Sequence, residues 1–192
     1  EIANGLAAAH DIGVAHRDLK PENVYITVGG EVKILDFGLA KTWFESLEVF
    51  QVEAPRSLPA AAVIEALAYL SPEQVWGEEA DDRSDIFSLG VIAYEMLRGV
   101  VPFKRATPIE TLQAIVNDVP GLPAGTRRIG ADLNRVIRRC LAKERSHRFQ
   151  SMRDMVVDLR RMVRQRADAS TVVDHAGIRR RWLAATGVLV AL

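Results

Sequence analysis

Two short polar segments on either side of a predicted β-hairpin constrain this chain more than any other feature. The first is HRDLKPEN at His16–Asn23, and the second is DFG at Asp36–Gly38. Between them, Val24–Val28 and Val32–Ile34 alternate as strands do, and Gly29-Gly30 supplies residues that tolerate a positive φ. Such a hairpin folds the chain back on itself, so we expect the two polar segments to lie close together.

Each polar residue in these segments has an ordinary explanation when it is taken alone. Asp18, Asn23 and Asp36 could cap turns, and Lys20 could be solvated. The order is more informative, because H-R-D-L-x-x-x-N followed by DFG matches a complete catalytic motif. On these residues the chain resembles the protein kinases, and the resemblance covers about residues 1–164.

The resemblance implies an α+β, protein kinase-like fold. This chain would hold its mainly α-helical carboxy-terminal lobe with a small β-hairpin. The Gly-rich loop and strand lysine with which kinases hold ATP lie upstream of the catalytic loop. Only fifteen residues precede His16, so we expect the amino-terminal lobe to be absent from this chain.

The resemblance also implies catalytic and cofactor roles. Asp18 would accept or orient the proton of the substrate hydroxyl, and Lys20 would contact ATP and steady the transferred phosphoryl group. Asn23 and Asp36 would bind Mg²⁺, or Mn²⁺, between the ATP phosphates, since amide and carboxylate oxygens suit such cations. His16 and Phe37 are expected to help by packing.

Four further residues correspond to structural or regulatory positions of the kinases. Ser71-Pro72-Glu73 stands where many kinases have Ala-Pro-Glu, so we expect Glu73 to pair with Arg148. Asp85 would anchor the backbone of the catalytic loop, although an ordinary acid at a helix start is the alternative. Arg17 would meet a phosphate on the activation loop or, as a second hypothesis, glutamates of that acidic loop.

The chain departs from the kinase pattern before Tyr69. Kinases usually have Gly-Thr four and three residues before this tyrosine, and the threonine helps to hold the catalytic Asp and Lys together. Here the pair is Glu65-Ala66, which cannot do so and which adds a negative charge. The hydroxyl residues available for phosphorylation between Asp36 and Tyr69 are Thr42, Ser46 and Ser57.

Helical periodicity accounts for most of the remaining chain. The predicted helices span residues 1–12, 84–98, 108–117, 131–142 and 151–164. Ser71 followed by Pro72 favours a further short helix. Lys41–Leu70 contains two prolines and no sustained period, so we expect a long loop there.

Composition excludes some classes of function. The 25 Lys and Arg residues balance 25 Asp and Glu residues, so overall charge gives no reason to expect a nucleic-acid partner. A single cysteine, Cys140, excludes an internal disulfide and fits a reducing compartment. We interpret Cys140 as a small buried residue on a helix rather than a reactive thiol.

The carboxy-terminal stretch has the order of a membrane anchor. Basic residues and a tryptophan at Arg179–Trp182 precede the apolar run Leu183–Leu192, as at the cytoplasmic side of a membrane span. A span needs about 20 apolar residues. We therefore interpret 165–181 as a basic juxtamembrane linker and 182–192 as the start of a truncated transmembrane helix. A buried or frayed terminal helix is the alternative.

Taken together, the sequence predicts part of an ATP-dependent protein serine/threonine kinase that acts on protein substrates. Bacterial receptor-type kinases have this order, which would place the domain in the cytoplasm, tethered to the inner membrane of a bacterium. The chain begins within a helical pattern, so we expect a piece of a longer protein that is inactive alone. A pseudokinase that only binds partners, a membrane-tethered structural segment and a homodimer stay open.

Overall fold

The computed structural model of the chain describes residues 1–37, 60–121 and 128–165. Within these ranges the helices are α1 Ile2–His10, α2 Ala60–Leu67, α3 Pro72–Val75, α4 Asp82–Arg98, α5 Pro108–Asn117, α6 Arg128–Cys140 and α7, residues 152–165. The strands are β1 Val24–Ile26 and β2 Val32–Ile34, and short 3₁₀ helices occupy Pro21–Asn23 and Arg145–His147. These described residues are mainly helical with a small antiparallel sheet, which confirms the predicted fold class.

The strands β1 and β2 form the hairpin predicted between the two polar segments. They are antiparallel, and Val24 is paired with Ile34. Gly30 adopts φ +82° at the turn, and its N–H donates to the backbone oxygen of Thr27 at 2.9 Å. Because the turn already involves Thr27, β1 is shorter than the predicted strand Val24–Val28. The strand β2 packs against α1.

The helix α2 lies within the predicted long loop, so that prediction is wrong for residues 60–67. Three consecutive alanines open the helix, and alanine has the highest helix propensity. The helix also buries Ile64, which is 7% exposed, and packs against α5. Both prolines that favoured a loop, Pro55 and Pro59, precede the helix. In the remainder of the predicted loop, residues 68–70 are non-helical, as predicted, and residues 41–59 lie outside the described residues.

The core is centred on α4, which packs against α6. Ile86 and Phe87 of α4 are completely buried. A Cβ atom at Gly90 would lie 2.5 Å from Cβ of Cys140, so the glycine allows the two helices to approach closely. Cys140 is buried on α6, as predicted, and burial raises the pKa of its thiol to about 12. This thiol is therefore protonated at neutral pH.

The predicted helix bounds agree with the structure to within a few residues. The bounds of α5 match the prediction, and α7 is shifted by one residue. The helix α4 begins before Ser84, because the side chain of Asp81 caps it and accepts a hydrogen bond from the N–H of Arg83 at 2.8 Å. The helix α6 runs over Arg128–Cys140 rather than 131–142.

In the described part of the chain, no helix has the length and apolar character needed to cross a bilayer. Residues 166–192 lie outside the described residues. They include nearly all of the predicted linker and the whole predicted start of a transmembrane helix.

Candidate active site

The predicted catalytic loop, residues 16–23, is closed by one of its own side chains. Asn23 is 6% exposed, and its Nδ2 donates to the backbone oxygen of Asp18 at 2.8 Å. The N–H of Leu35 donates to the backbone oxygen of Asn23 at 2.9 Å, which joins the loop to the end of β2. Since the amide nitrogen of Asn23 is engaged inside the loop, its side-chain oxygen is the atom left for a cation.

Asp85, in the first turn of α4, holds the start of the catalytic loop. Its side chain is buried; Oδ2 accepts from the N–H of His16 and Oδ1 from the N–H of Arg17, each at 2.7 Å. Hydrogen bonds to a buried carboxylate are among the stronger ones in proteins. This contact between Asp85 and the loop backbone is the one that the resemblance to kinases implies.

Arg17 and Asp36 have an unusual backbone conformation. Their φ values are 67° and 62°, and they are the non-glycine residues with positive φ within the described ranges. Such a conformation costs roughly 1–3 kcal/mol and persists only where surrounding contacts impose it. One of these residues lies in each of the two polar segments, so the strain coincides with the candidate site.

Asp18 and Lys20 are in direct contact. Lys20 Nζ lies 2.8 Å from Asp18 Oδ2, and about a quarter to a third of each side chain is exposed, 24% and 34% respectively. A carboxylate and an ammonium group therefore lie side by side where a substrate could reach both. The contact forms although residue 66 is an alanine, so it does not depend on a threonine there.

The second polar segment lies against the first through His16. His16 Nε2 is 2.8 Å from the backbone oxygen of Leu35. The rings of His16 and Phe37 are 4.7 Å apart between centroids. Asp36 is exposed. In the sequence it lies between Leu35 and Phe37, which both contact His16. Gly38 lies outside the described residues.

Glu73 and Arg148 form the expected pair in the protein interior. Arg148 donates from both terminal nitrogens to the two carboxylate oxygens of Glu73, each at 2.7 Å. Ser84 Oγ also donates to Glu73 Oε1 at 2.7 Å. Burial alone would raise the pKa of Glu73, but the hydrogen bond and charge of Arg148 hold this pKa below the ordinary value.

Glu65 and Ala66 lie on α2. Glu65 Oε1 is 2.9 Å from Lys104 Nζ, and both side chains are largely exposed. The negative charge expected to disturb the site is thus paired with a lysine that follows α4. Ala66 is exposed.

Arg17 lies within the described residues, whereas the loop phosphate and most of the loop glutamates expected to contact it lie outside them. Its Nε is buried and has no hydrogen-bond partner among the described residues. The hydroxyl residues considered for phosphorylation, Thr42, Ser46 and Ser57, lie outside the described residues.

Sequence reasoning missed two residues of this site, His10 and Gln74. His10 Nε2 lies 2.8 Å from Asp85 Oδ2. Gln74 Nε2 donates to the backbone oxygen of Arg17 at 2.6 Å. Gln74 stands three residues after Ser71, which is the spacing of a capping box and a signal that could have been read. No local pattern points to His10, because its partner is 75 residues away.

Known proteins are similar in sequence to this chain over most of its length. The family model described as protein kinase domain matches residues 1–158. Serine/threonine-protein kinase PknB of Mycobacterium leprae is 37% identical over 164 residues, which cover 84% of this chain and 25% of that protein. Probable serine/threonine-protein kinase PknB of Corynebacterium glutamicum is 34% identical over 168 residues, 85% of this chain and 25% of the relative.

A probable serine/threonine-protein kinase of Clostridium perfringens is 33% identical over 163 residues, 84% of this chain and 22% of the relative. The chain thus spans about a quarter of the length of these curated relatives. The family match covers the catalytic loop, the hairpin, α4 and the pair of Glu73 with Arg148. The chain therefore belongs to the protein kinase domain family and is similar to the serine/threonine-protein kinases of bacteria.

Proposed function

We propose that the full-length protein is an ATP-dependent kinase that phosphorylates serine and threonine hydroxyls of other proteins. The observation that carries this proposal is the contact of Asp18 with Lys20, 2.8 Å between Oδ2 and Nζ, on a loop whose backbone Asp85 holds. In this proposal residues 1–164 are the carboxy-terminal part of the kinase domain. In phosphoryl transfer the carboxylate can accept the proton of the substrate hydroxyl, and the ammonium group can offset charge on the phosphoryl group.

The proposed reaction assigns one task to each group. The substrate hydroxyl oxygen forms a bond to the γ-phosphorus of ATP while the bond from that phosphorus to the β,γ-bridging oxygen breaks, so ADP leaves. The carboxylate of Asp18 orients the hydroxyl and accepts its proton, which then passes to solvent. The ammonium group of Lys20 offsets negative charge on the transferred phosphoryl group.

Asn23 and Asp36 fit a divalent cation. The free side-chain oxygen of Asn23 and the exposed carboxylate of Asp36 are hard oxygen donors, and Mg²⁺ is commonly held by one or two such groups together with phosphates. When bound, Mg²⁺ or Mn²⁺ would neutralise charge on the phosphates of ATP.

The test is transfer of radiolabelled phosphate from ATP to a protein substrate by the full-length protein. Asp18→Asn keeps the size of the side chain and removes the proton acceptor, so we expect the rate to fall by about 10²- to 10⁴-fold. Asp154→Asn, at an exposed position on α7, is the matched control and should retain the rate. Equal rates for wild type and Asp18→Asn would overturn the proposal.

A pseudokinase is the second candidate, and the Glu65-Ala66 pair is the observation that favours it. This pair lies on a helix, α2, where a kinase would present Gly-Thr. A pseudokinase would bind partners without Asp18-dependent phosphate transfer. The radiolabel assay therefore separates the two candidates.

We further propose that the kinase domain faces the cytoplasm and is tethered to the inner membrane of a bacterium. The support is the order of basic residues, Trp182 and the apolar run Leu183–Leu192. The full-length protein is expected in the membrane fraction of broken cells, and a variant that ends at Arg181 in the soluble fraction. A soluble full-length protein would contradict the tether.

A further inference from the structure

The side-chain amide of Gln74 connects two parts of the molecule that are distant in sequence. Its Oε1 accepts from the backbone N–H and from the hydroxyl of Ser71, each at 3.0 Å. Its Nε2 donates to the backbone oxygen of Arg17, 57 residues away, at 2.6 Å. Gln74 is 6% exposed, so these hydrogen bonds form away from solvent.

The chemistry of the partners fixes the orientation of this amide. The backbone N–H of Ser71 can only donate, so it requires the amide oxygen. The backbone oxygen of Arg17 can only accept, so it requires the amide nitrogen. A glutamine rotated by half a turn about its last bond would face a donor with a donor and an acceptor with an acceptor.

The contact with Arg17 falls on the peptide that leads into Asp18. The oxygen bound by Gln74 and the N–H of Asp18 belong to this same peptide, and that N–H donates to His16 Nδ1 at 3.3 Å. The preceding N–H, that of Arg17, is bound by Asp85. Gln74 and Asp85 thus hold the two ends of the one residue of the catalytic loop that has φ +67°.

We propose that Gln74 is a positioning residue for catalysis, which fixes the Arg17–Asp18 peptide and thereby the direction of the Asp18 carboxylate. The inference rests on the proposed kinase function and extends it to the residue after Ser71-Pro72-Glu73. Asp85 binds the backbone N–H of Arg17, and Gln74 binds its backbone oxygen. Without the second contact the strained conformation of Arg17 has one fewer restraint, and the peptide can rotate.

Capping of α3 does not by itself require a glutamine at position 74. In a capping box the third residue of the helix uses one side-chain oxygen to bind the N–H of the capping residue, and glutamate performs this task as well as glutamine. The nitrogen that reaches Arg17 is the additional group that glutamine provides. Gln74→Glu therefore keeps the cap and removes the contact with the catalytic loop.

The role of Gln74 is tested by comparing Gln74→Glu with a matched exchange in the full-length protein. Thr107 and Glu110 form a capping box at the start of α5, where Glu110 Oε2 accepts from the N–H of Thr107 at 3.2 Å. Glu110→Gln makes the reverse exchange at the same position of a capping box, in an exposed place outside the site. For Gln74→Glu we expect kcat to fall by about 10- to 100-fold, with KM for ATP unchanged; Glu110→Gln should leave kcat unchanged.

Hydrogen–deuterium exchange of residues 15–20 provides a readout that does not need catalysis. Faster exchange of this segment in Gln74→Glu, with unchanged exchange in Glu110→Gln, is expected. If wild type transfers phosphate independently of Asp18, the proposed function fails, while the exchange measurement still tests the role of Gln74. If Gln74→Glu retains the wild-type kcat, or retains the wild-type exchange rate of residues 15–20, the inference is overturned.

Discussion

Both terminal nitrogens of Arg148 donate to the carboxylate of Glu73, at 2.7 Å each, and at most 1% of either side chain is exposed. The pair joins α3, which contains Glu73, to the loop after α6, 75 residues further along the chain. Arg148 also donates to the backbone oxygens of Arg83, Ala142 and Lys143. The guanidinium is therefore fully hydrogen-bonded inside the core, which is the condition under which a buried charge is tolerated.

Removing one partner of this pair should be strongly destabilising. Arg148→Met leaves the carboxylate of Glu73 buried without its counter-charge, so we expect the free energy of unfolding to fall by about 3–5 kcal/mol. Chemical denaturation measures this loss. The control is Arg153→Met, which breaks the exposed contact of Arg153 with Asp11 and should have a much smaller effect.

The double variant Glu73→Met with Arg148→Met tests the cause. Neither charge is then left unpaired, so the double variant should lose less stability than the sum of the two single variants. Additive losses would show that packing of the two side chains, rather than charge pairing, accounts for the effect.

Asp85→Asn is expected to weaken the catalytic loop without removing the side chain. The two backbone N–H groups of His16 and Arg17 need two acceptors, but asparagine offers one oxygen and one NH₂ group. One buried N–H then faces a donor, at a cost of roughly 1–3 kcal/mol. Thermal unfolding and phosphate transfer should both be impaired. Asp82→Asn, in the same turn of α4, is the matched control, and an equal loss there would contradict a specific role for Asp85.

His10 should give the protein a pH-dependent term in its stability. Burial alone would lower the pKa of His10, but its hydrogen bond to Asp85 and the charges of Asp85, Asp82 and Asp11 raise this pKa above 6.5. The folded state therefore binds the proton more tightly than the unfolded state does. The resulting stabilisation is fully present below pH 6.5 and is lost as pH rises through the higher pKa of the folded protein.

His10→Gln removes this term and keeps a hydrogen-bonding side chain. Unfolding free energies measured from about pH 5 to about pH 8 should show wild type losing its advantage over His10→Gln as pH rises. Arg153 contacts Asp11, whose charge also raises the pKa of His10, so the same series is measured in the Arg153→Met background. A constant difference between wild type and His10→Gln at all pH values would contradict the prediction.

The sequence predicts the parts of this molecule whose signals are local. Alternating apolar residues and a Gly-Gly turn predict the hairpin. Thr107 followed by Pro108 predicts the start of α5. Each signal lies within a few residues of the element that it predicts. The expected contacts of Asp85 and of Glu73 with Arg148 came from a family resemblance rather than from such signals. Their geometry is present, while their functional roles stay predictions.

Long-range and competing effects account for what the sequence did not indicate. Pro55 and Pro59 favoured a loop, but both precede the alanine-rich run that opens α2. The packing of α2 on α5 involves residues more than 40 positions away. Gln74 and His10 take their roles from partners 57 and 75 residues away. Contacts between residues so far apart cannot be predicted from local spacing in the sequence.

Gly90→Ala should disrupt the contact between α4 and α6. The added Cβ would lie 2.5 Å from Cβ of Cys140 and 3.2 Å from Cδ2 of Leu141, and the first of these atoms is fixed to the α6 backbone. One helix must move, so we expect a loss of about 1–3 kcal/mol, although alanine is the better helix former. Gly29→Ala is the control, since its nearest neighbour would be Thr27 Oγ1 at 3.8 Å. Chemical denaturation of both variants measures the difference, and unchanged or increased stability of Gly90→Ala would show that the helices can separate without cost.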